Sequence, residues 1–192
     1  LRELPDVVAR ICAELFRPII IIEDVAGKNV YVRLLGGALV PPDANLVMAR
    51  PGSLWLPLSR SIPSRDAPQE RVQLVPWTYL RMEAPPTLEQ SVCRCDLITG
   101  IKNPIPARRS RRVESLALAI NPDATPTTIK LVSRSAVKVP LPAYDVDVMS
   151  TEKQLQTTLL TDRKGRVTIT GSPSSPLQWI QVRSGQLKLV QL

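Results

Sequence analysis

Apolar and polar positions change their period once along this chain, near residue 18. Before it, Leu4, Val7, Val8, Ile11, Cys12, Leu15 and Phe16 recur at i, i+3, i+4, i+7, i+8, i+11 and i+12. That spacing predicts an amphipathic helix over residues 4–16, with Pro5 in its first turn and Pro18 as its stop. The charges off the stripe mix both signs, which suits packing on a sheet better than lying on a membrane surface.

After residue 18 the period falls to two, or becomes a continuous apolar run. The strands expected are Ile19–Glu23, Val30–Leu35, Leu46–Ala49, Leu54–Leu58, Arg71–Val75, Trp77–Met82, Ser91–Ile98 and Val113–Ile120. Six more follow: Thr127–Ser133, Tyr144–Met149, Leu155–Leu160, Arg166–Thr170, Leu177–Val182 and Leu187–Leu192. Gly, Pro, Asn and Asp clusters separate them, as turn chemistry requires. Pro57 and Pro76 stand inside strand-like runs and predict an edge, a bulge or a break there. Short strands with regular turn signals mean a sandwich or a barrel. The loop Asn121-Pro-Asp-Ala-Thr-Pro126 suggests a boundary near residue 122. The expected fold class is therefore mostly β, α+β at the N-terminus. A helix plus an irregular β-barrel or sheet domain is placed at 1–121, and a small β-sandwich at 122–192.

Composition sharpens this. Pro is abundant, at 19 of 192 residues, and aromatic residues make up only 4%, so aliphatic side chains must build the core. There is no His, which removes imidazole bases, His-containing triads and His metal ligands together. No run reaches the ~18 apolar residues of a membrane helix, so no integral membrane segment is expected in this chain. It starts without Met inside a helix-like pattern, as a processed chain or a piece of a longer one would.

A resemblance lies in the last third. The stretch Pro140-Leu-Pro-Ala-Tyr-Asp-Val-Asp-Val148, followed by Leu160-Thr-Asp-Arg-Lys-Gly-Arg-Val-Thr-Ile169, resembles immunoglobulin-like modules of the carboxypeptidase-regulatory or transthyretin type. Those modules place a small residue, usually Gly, where Ala143 stands. They follow it with Thr-Asp-x-x-Gly and an alternating apolar strand. The resemblance covers roughly residues 125–192. It implies an Ig-like β-sandwich and an accessory role: spacing, stabilising or binding. It also implies a bacterial envelope or extracellular, hence extracytoplasmic, setting.

Charge adds a candidate surface. The formal net charge is +8, and it arises entirely after residue 96. Residues 1–96 hold 11 basic and 11 acidic side chains, whereas residues 97–192 hold 14 and 6. Five cations fall in one acid-free stretch: Lys102, Arg108, Arg109, Arg111 and Arg112. Guanidinium forks bind phosphate and other oxyanions. The run is thus a candidate contact for a polyanion (nucleic acid, acidic polysaccharide or lipid) or for an acidic partner protein. No zinc-finger, RNA-recognition or KH pattern accompanies it, and no aromatic residue is interleaved with it.

The remaining chemistry is thin. Cys93 and Cys95 alternate and would share one strand face. The readings open to them are apolar core, a bridge to Cys12, or a metal site that two thiolates cannot complete alone. Asp145 and Asp147 alternate likewise, as paired catalytic or calcium-binding carboxylates do, and as the wet face of a strand also does. Trp55, Trp77, Tyr79 and Trp179 suit a binding platform or core packing. Ser nucleophiles lack a patterned base. The expectation is a non-catalytic protein without cofactor or metal, a structural or adhesive subunit acting through other protein subunits.

Overall fold

The structure is a computed structural model. It describes residues 7–8, 17–34, 49–63, 69–84, 92–102, 104–105, 112–120, 125–171 and 176–191. The chain forms two compact units, Leu1–Asn121 and Pro122–Leu192, and the described elements are β throughout. The helix expected over 4–16 lies outside the described residues except for Val7 and Val8, both exposed. The strand expected at 46–49 lies outside them except for Ala49, which is buried but belongs to no strand.

The first unit contains β1 (Ile19–Ala26), β2 (Asn29–Leu34), β3 (Leu54–Ser61), β4 (Arg71–Leu74), β5 (Thr78–Met82), β6 (Val92–Thr99) and β7 (Val113–Ile120). Their antiparallel order is β4-β3-β5-β6-β2-β1-β7, and β3 also pairs with β7. The last pairing closes a six-stranded barrel, β3-β5-β6-β2-β1-β7, with β4 beside it on β3. Closure removes most of the edge that an open sheet would expose.

Both prolines mark the place where the wall changes partner. β4 and β5 both run antiparallel to β3, on the same side of it, so they are two halves of one strand broken at Val75-Pro76-Trp77. Pro57 lies opposite that break, between the β5-paired residues Leu54–Trp55 and the β4-paired residues Leu58–Ser61. Its missing N–H falls where no ladder bond is required, and its carbonyl accepts from Val75 N–H at 2.9 Å.

Two kinds of strand fill the barrel. β1, β2, β5 and β6 turn their larger apolar residues inward: Ile20 and Ile22, Val30 and Val32, Leu80 and Met82, Cys93 and Cys95. β3 and β7 do the reverse, except for one residue. Trp55 points in and is fully buried, and the residues opposite on β7 are small, with Trp55 facing Ala119 and Pro57 facing Ala117. A narrow barrel cannot hold an indole and a leucine at the same level, so alanine faces tryptophan. The Trp55 Nε1–H is the only buried side-chain donor without a partner among the described residues, at a cost of about 1–3 kcal/mol.

The second unit has β8 (Thr127–Lys130), β9 (Asp145–Met149), β10 (Leu155–Leu160), β11 (Arg166–Ile169), β12 (Trp179–Ser184) and β13 (Leu187–Gln191). They form a four-stranded sheet, β10-β9-β12-β13, and a two-stranded sheet, β11-β8. The strand expected over 127–133 stops at Lys130, and Val132 makes an isolated bridge to Pro140. Val146 and Val148 of the larger sheet share one core cluster with Val167 and Ile169 of the smaller. Ile129, Leu131, Leu159 and Ile180 pack around them.

Candidate functional site: the outer barrel wall and the buried ion pair

Strand alternation dictates what the inverted strands show outside. With Trp55, Pro57, Ala117 and Ala119 turned in, β3 directs Leu54, Leu56 and Leu58 outward, and β7 directs Leu116, Leu118 and Ile120. β1 adds Ile19 and Ile21 beside Leu118 and Leu116. β4 adds Leu74 opposite Leu58 and Val72 opposite Arg60. The result is an aliphatic face on the outside of a wall whose interior is already a packed core. Leu54 and Leu116 are buried, Leu56, Leu58, Leu118 and Ile120 are half-buried, and Val72 and Leu74 remain 58% and 59% exposed. The well-exposed part of the face is its margin, Ile19, Val72 and Leu74, and exposed apolar surface of this kind marks contact sites.

Trp77 stands at the β4–β5 break, next in the chain to that face. It is 57% exposed with φ of +52°, a backbone region that bulky residues avoid at a cost of roughly 1–2 kcal/mol. Neighbours enforce the conformation. Gly100 N–H donates to the Trp77 carbonyl at 3.0 Å, and the buried Thr78 hydroxyl donates to the Pro76 carbonyl at 3.0 Å. An exposed aromatic held in a strained geometry is a frequent mark of a contact residue.

No family model, curated protein or solved structure matches this chain.

The site residues read from sequence are dispersed. In the basic run, Lys102 and Arg112 are exposed, and the Arg112 carbonyl accepts from Ile62 N–H at 2.9 Å. Arg108, Arg109 and Arg111 lie outside the described residues. Trp55 is core, Tyr79 is half-buried on β5, and Trp179 on β12 carries the Lys153 ammonium 5.2 Å from its ring centroid.

Cys93 and Cys95 are free, buried thiols in the barrel core. Burial pushes the Cys95 thiol up to about 12, with smaller contributions from Cys93, Asp96 and Glu83, and burial also raises Cys93. Neither is a nucleophile near neutral pH, because the thiolate is the reactive form. In a C12S background at pH 8, an aromatic disulfide reagent is expected to label both cysteines at least about a thousandfold more slowly than a free thiol. The rate should become fast only in denaturant. Rapid labelling in native buffer would mean that the barrel does not enclose them.

Asp145 and Asp147 share the sheet face opposite the one that puts Val146 and Val148 in the core, with Asp145 half-buried there. Asp147 is 5% exposed in the centre of the four-stranded sheet. Arg183 grips it bidentately, Nε to Oδ2 at 2.5 Å and Nη2 to Oδ1 at 2.8 Å. The Thr158 hydroxyl donates to Oδ1 at 2.7 Å and Gln181 Nε2 to Oδ2 at 3.5 Å. The Arg183 hydrogen bonds dominate and hold the Asp147 carboxyl below the usual carboxylate range, with Thr158, the Arg183 charge and Gln181 adding to them against the opposing effect of burial. A carboxylate so saturated binds its own sheet together. No group of three or more His, Cys, Asp or Glu among the described residues is arranged to hold a metal ion. No described helix is long and apolar enough to cross a membrane.

Proposed function

We propose that this chain is a non-catalytic contact module, a structural or adhesive subunit that works by docking other protein subunits. The observation that carries the reading is the aliphatic outer wall of β4-β3-β7-β1. It lies outside the barrel core, and its exposed margin, Ile19 on β1 with Val72 and Leu74 on β4, is apolar area open to association. Trp77, strained and exposed at the break in the same wall, supplies an anchor of the type that dominates interface energetics.

The second unit reads as an Ig-like sandwich of the carboxypeptidase-regulatory or transthyretin type. Two features support this. Val146 and Val148 meet Val167 and Ile169 between two sheets. Ala143, which stands where such modules usually place Gly, has φ of +59°, the region that favours Gly. The proposed accessory role and the extracytoplasmic, envelope-associated setting rest on that likeness and are analogy at the level of fold.

A photo-crosslinking amino acid placed at Leu56 or at Leu118 in the native host tests the function. Adducts to another polypeptide are expected at both positions and not at the exposed Lys130 of the second unit. Absence of intermolecular adducts at both wall positions would overturn the reading.

A further inference from the structure

The second unit gathers uncancelled positive charge at one end. β8 ends at Lys130, opposite Arg166 of β11, and Asp162 answers the Arg166 charge at 3.2 Å. Lys130 itself, Arg134 and Lys138 in the segment after β8, and Arg163 and Lys164 in the turn before β11 are all exposed. None of these five meets an acidic side chain among the described residues. Backbone bonds hold the two segments together. Leu131 N–H donates to the Gly165 carbonyl at 2.7 Å, and Leu141 N–H donates to the Leu131 carbonyl at 3.1 Å. The loop between Leu131 and Leu141 therefore stands on the turn that carries Arg163 and Lys164.

That loop ends in an apolar tip. Val132 bridges to Pro140, and Ser133 N–H donates to the Val139 carbonyl at 2.8 Å. The Ser133 hydroxyl accepts from Val139 N–H and donates to the Val137 carbonyl, both at 3.0 Å. These polar groups of the loop are turned on one another, and the valine side chains are left outside. Val137 is 74% exposed, the highest value of any large apolar residue among those described, and Val139 is 52% exposed. Folding gains nothing from valines held in water on a braced loop.

An apolar tip above a basic base matches the layering of an anionic bilayer surface. Headgroup charge lies outermost there and the acyl boundary just beneath, so valines can enter while the cations stop at the phosphates. A nucleic acid offers phosphates without an apolar layer, and no aromatic residue stands in residues 131–141 to stack on its bases. An acidic polysaccharide likewise gives a valine nothing to enter.

We propose that this end of the second unit docks on an anionic lipid bilayer surface, with Val137 and Val139 entering beneath headgroups held by Lys130, Arg134, Lys138, Arg163 and Lys164. The contact is peripheral. It uses a different surface from the barrel wall, so it goes beyond the contact-module reading and stands or falls separately from it.

Co-sedimentation of the full chain with vesicles tests it. Wild type is expected to bind vesicles of mixed phosphatidylglycerol and phosphatidylcholine, and not vesicles of phosphatidylcholine alone. R134S/K138S and R163S/K164S each remove two cations and should each weaken binding roughly thirtyfold. V137S keeps every charge and should weaken it about tenfold. All the substituted positions are exposed, and amide exchange in β8 and β11 checks that each variant is folded. R134K/K138R, which keeps both charges, should bind as wild type does. No wild-type binding to the acidic vesicles would overturn the proposal, and so would equal binding to the neutral ones. Cation variants that bind like wild type would place the contact elsewhere and overturn it too. Weakening by the cation pairs with V137S unaffected would overturn the lipid assignment, because that is the mark of a site for soluble polyanions.

Discussion

Replacing Arg183 with alanine is expected to loosen the second unit, because Asp147 in the sheet centre loses its bidentate partner. The loss is bounded, since Thr158 and Gln181 still donate to the carboxylate and Arg183 itself is partly exposed, so water can enter where its guanidinium stood. Amide exchange of β9, β10 and β12 in the full chain reads the loss locally, and R183A should raise those rates about tenfold. Adding D147N to R183A should recover most of the protection, because a neutral amide no longer leaves a charge buried.

The pH dependence follows in sign. Asp147 has a folded pKa below its unfolded value of about 3.9. Its contribution is therefore fully present above that value and is lost as pH falls through the folded pKa. In R183A the carboxyl loses the hydrogen bonds that hold its pKa down most, so the pKa moves back up toward the ordinary carboxylate range. The gap between wild type and variant should be widest above about pH 5 and should narrow toward pH 3. A gap independent of pH would mean that Arg183 acts through packing alone.

Local chemistry made the strand series legible. Alternation placed Cys93 and Cys95 on one inward face, and Pro57 and Pro76 announced the place where β3 changes partner. Barrel closure was not legible, because β3 meets β7 through residues about sixty positions apart and no local pattern sets that register. The outer wall was misleading for a related reason. The run Leu116-Ala-Leu-Ala-Ile120 invites the reading that leucine faces in and alanine out. Trp55 reverses it by taking the interior volume, which is known only once Ala119 is seen opposite. Asp147 shows the same limit. Its alternation with Asp145 was correct, yet burial came from Arg183 and Gln181 on β12, more than thirty residues away. Only the lone Arg at the end of an otherwise uncharged strand run, Trp179–Arg183, hinted at a partner.

Gly165→Val is expected to be the most damaging single change in the second unit, costing about 2–5 kcal/mol. Gly165 has φ of +70°, and a Cβ built there would lie 2.5 Å from the Leu131 carbonyl oxygen and 2.9 Å from the Leu141 nitrogen. Both are backbone atoms of segments pinned to this turn. Leu131 N–H donates to the Gly165 carbonyl at 2.7 Å, and Leu141 N–H donates to the Leu131 carbonyl at 3.1 Å. The left-handed backbone alone costs a side chain roughly 1–2 kcal/mol, and forcing the neighbours apart adds about 1–3 kcal/mol. The turn cannot rotate out of the clash, because the Asp162 carboxylate accepts from Lys164 N–H and Arg166 N–H, both at 2.8 Å, while Asp162 N–H donates to the Arg166 carbonyl. G165V should therefore abolish exchange protection in β8 and β11 while leaving that of the barrel strands β2 and β6 intact. G165A should show the same pattern at reduced size. Protection lost equally in both units would show that they do not unfold independently, and unchanged protection in β8 would show that the close approach to Leu131 does not hold in solution.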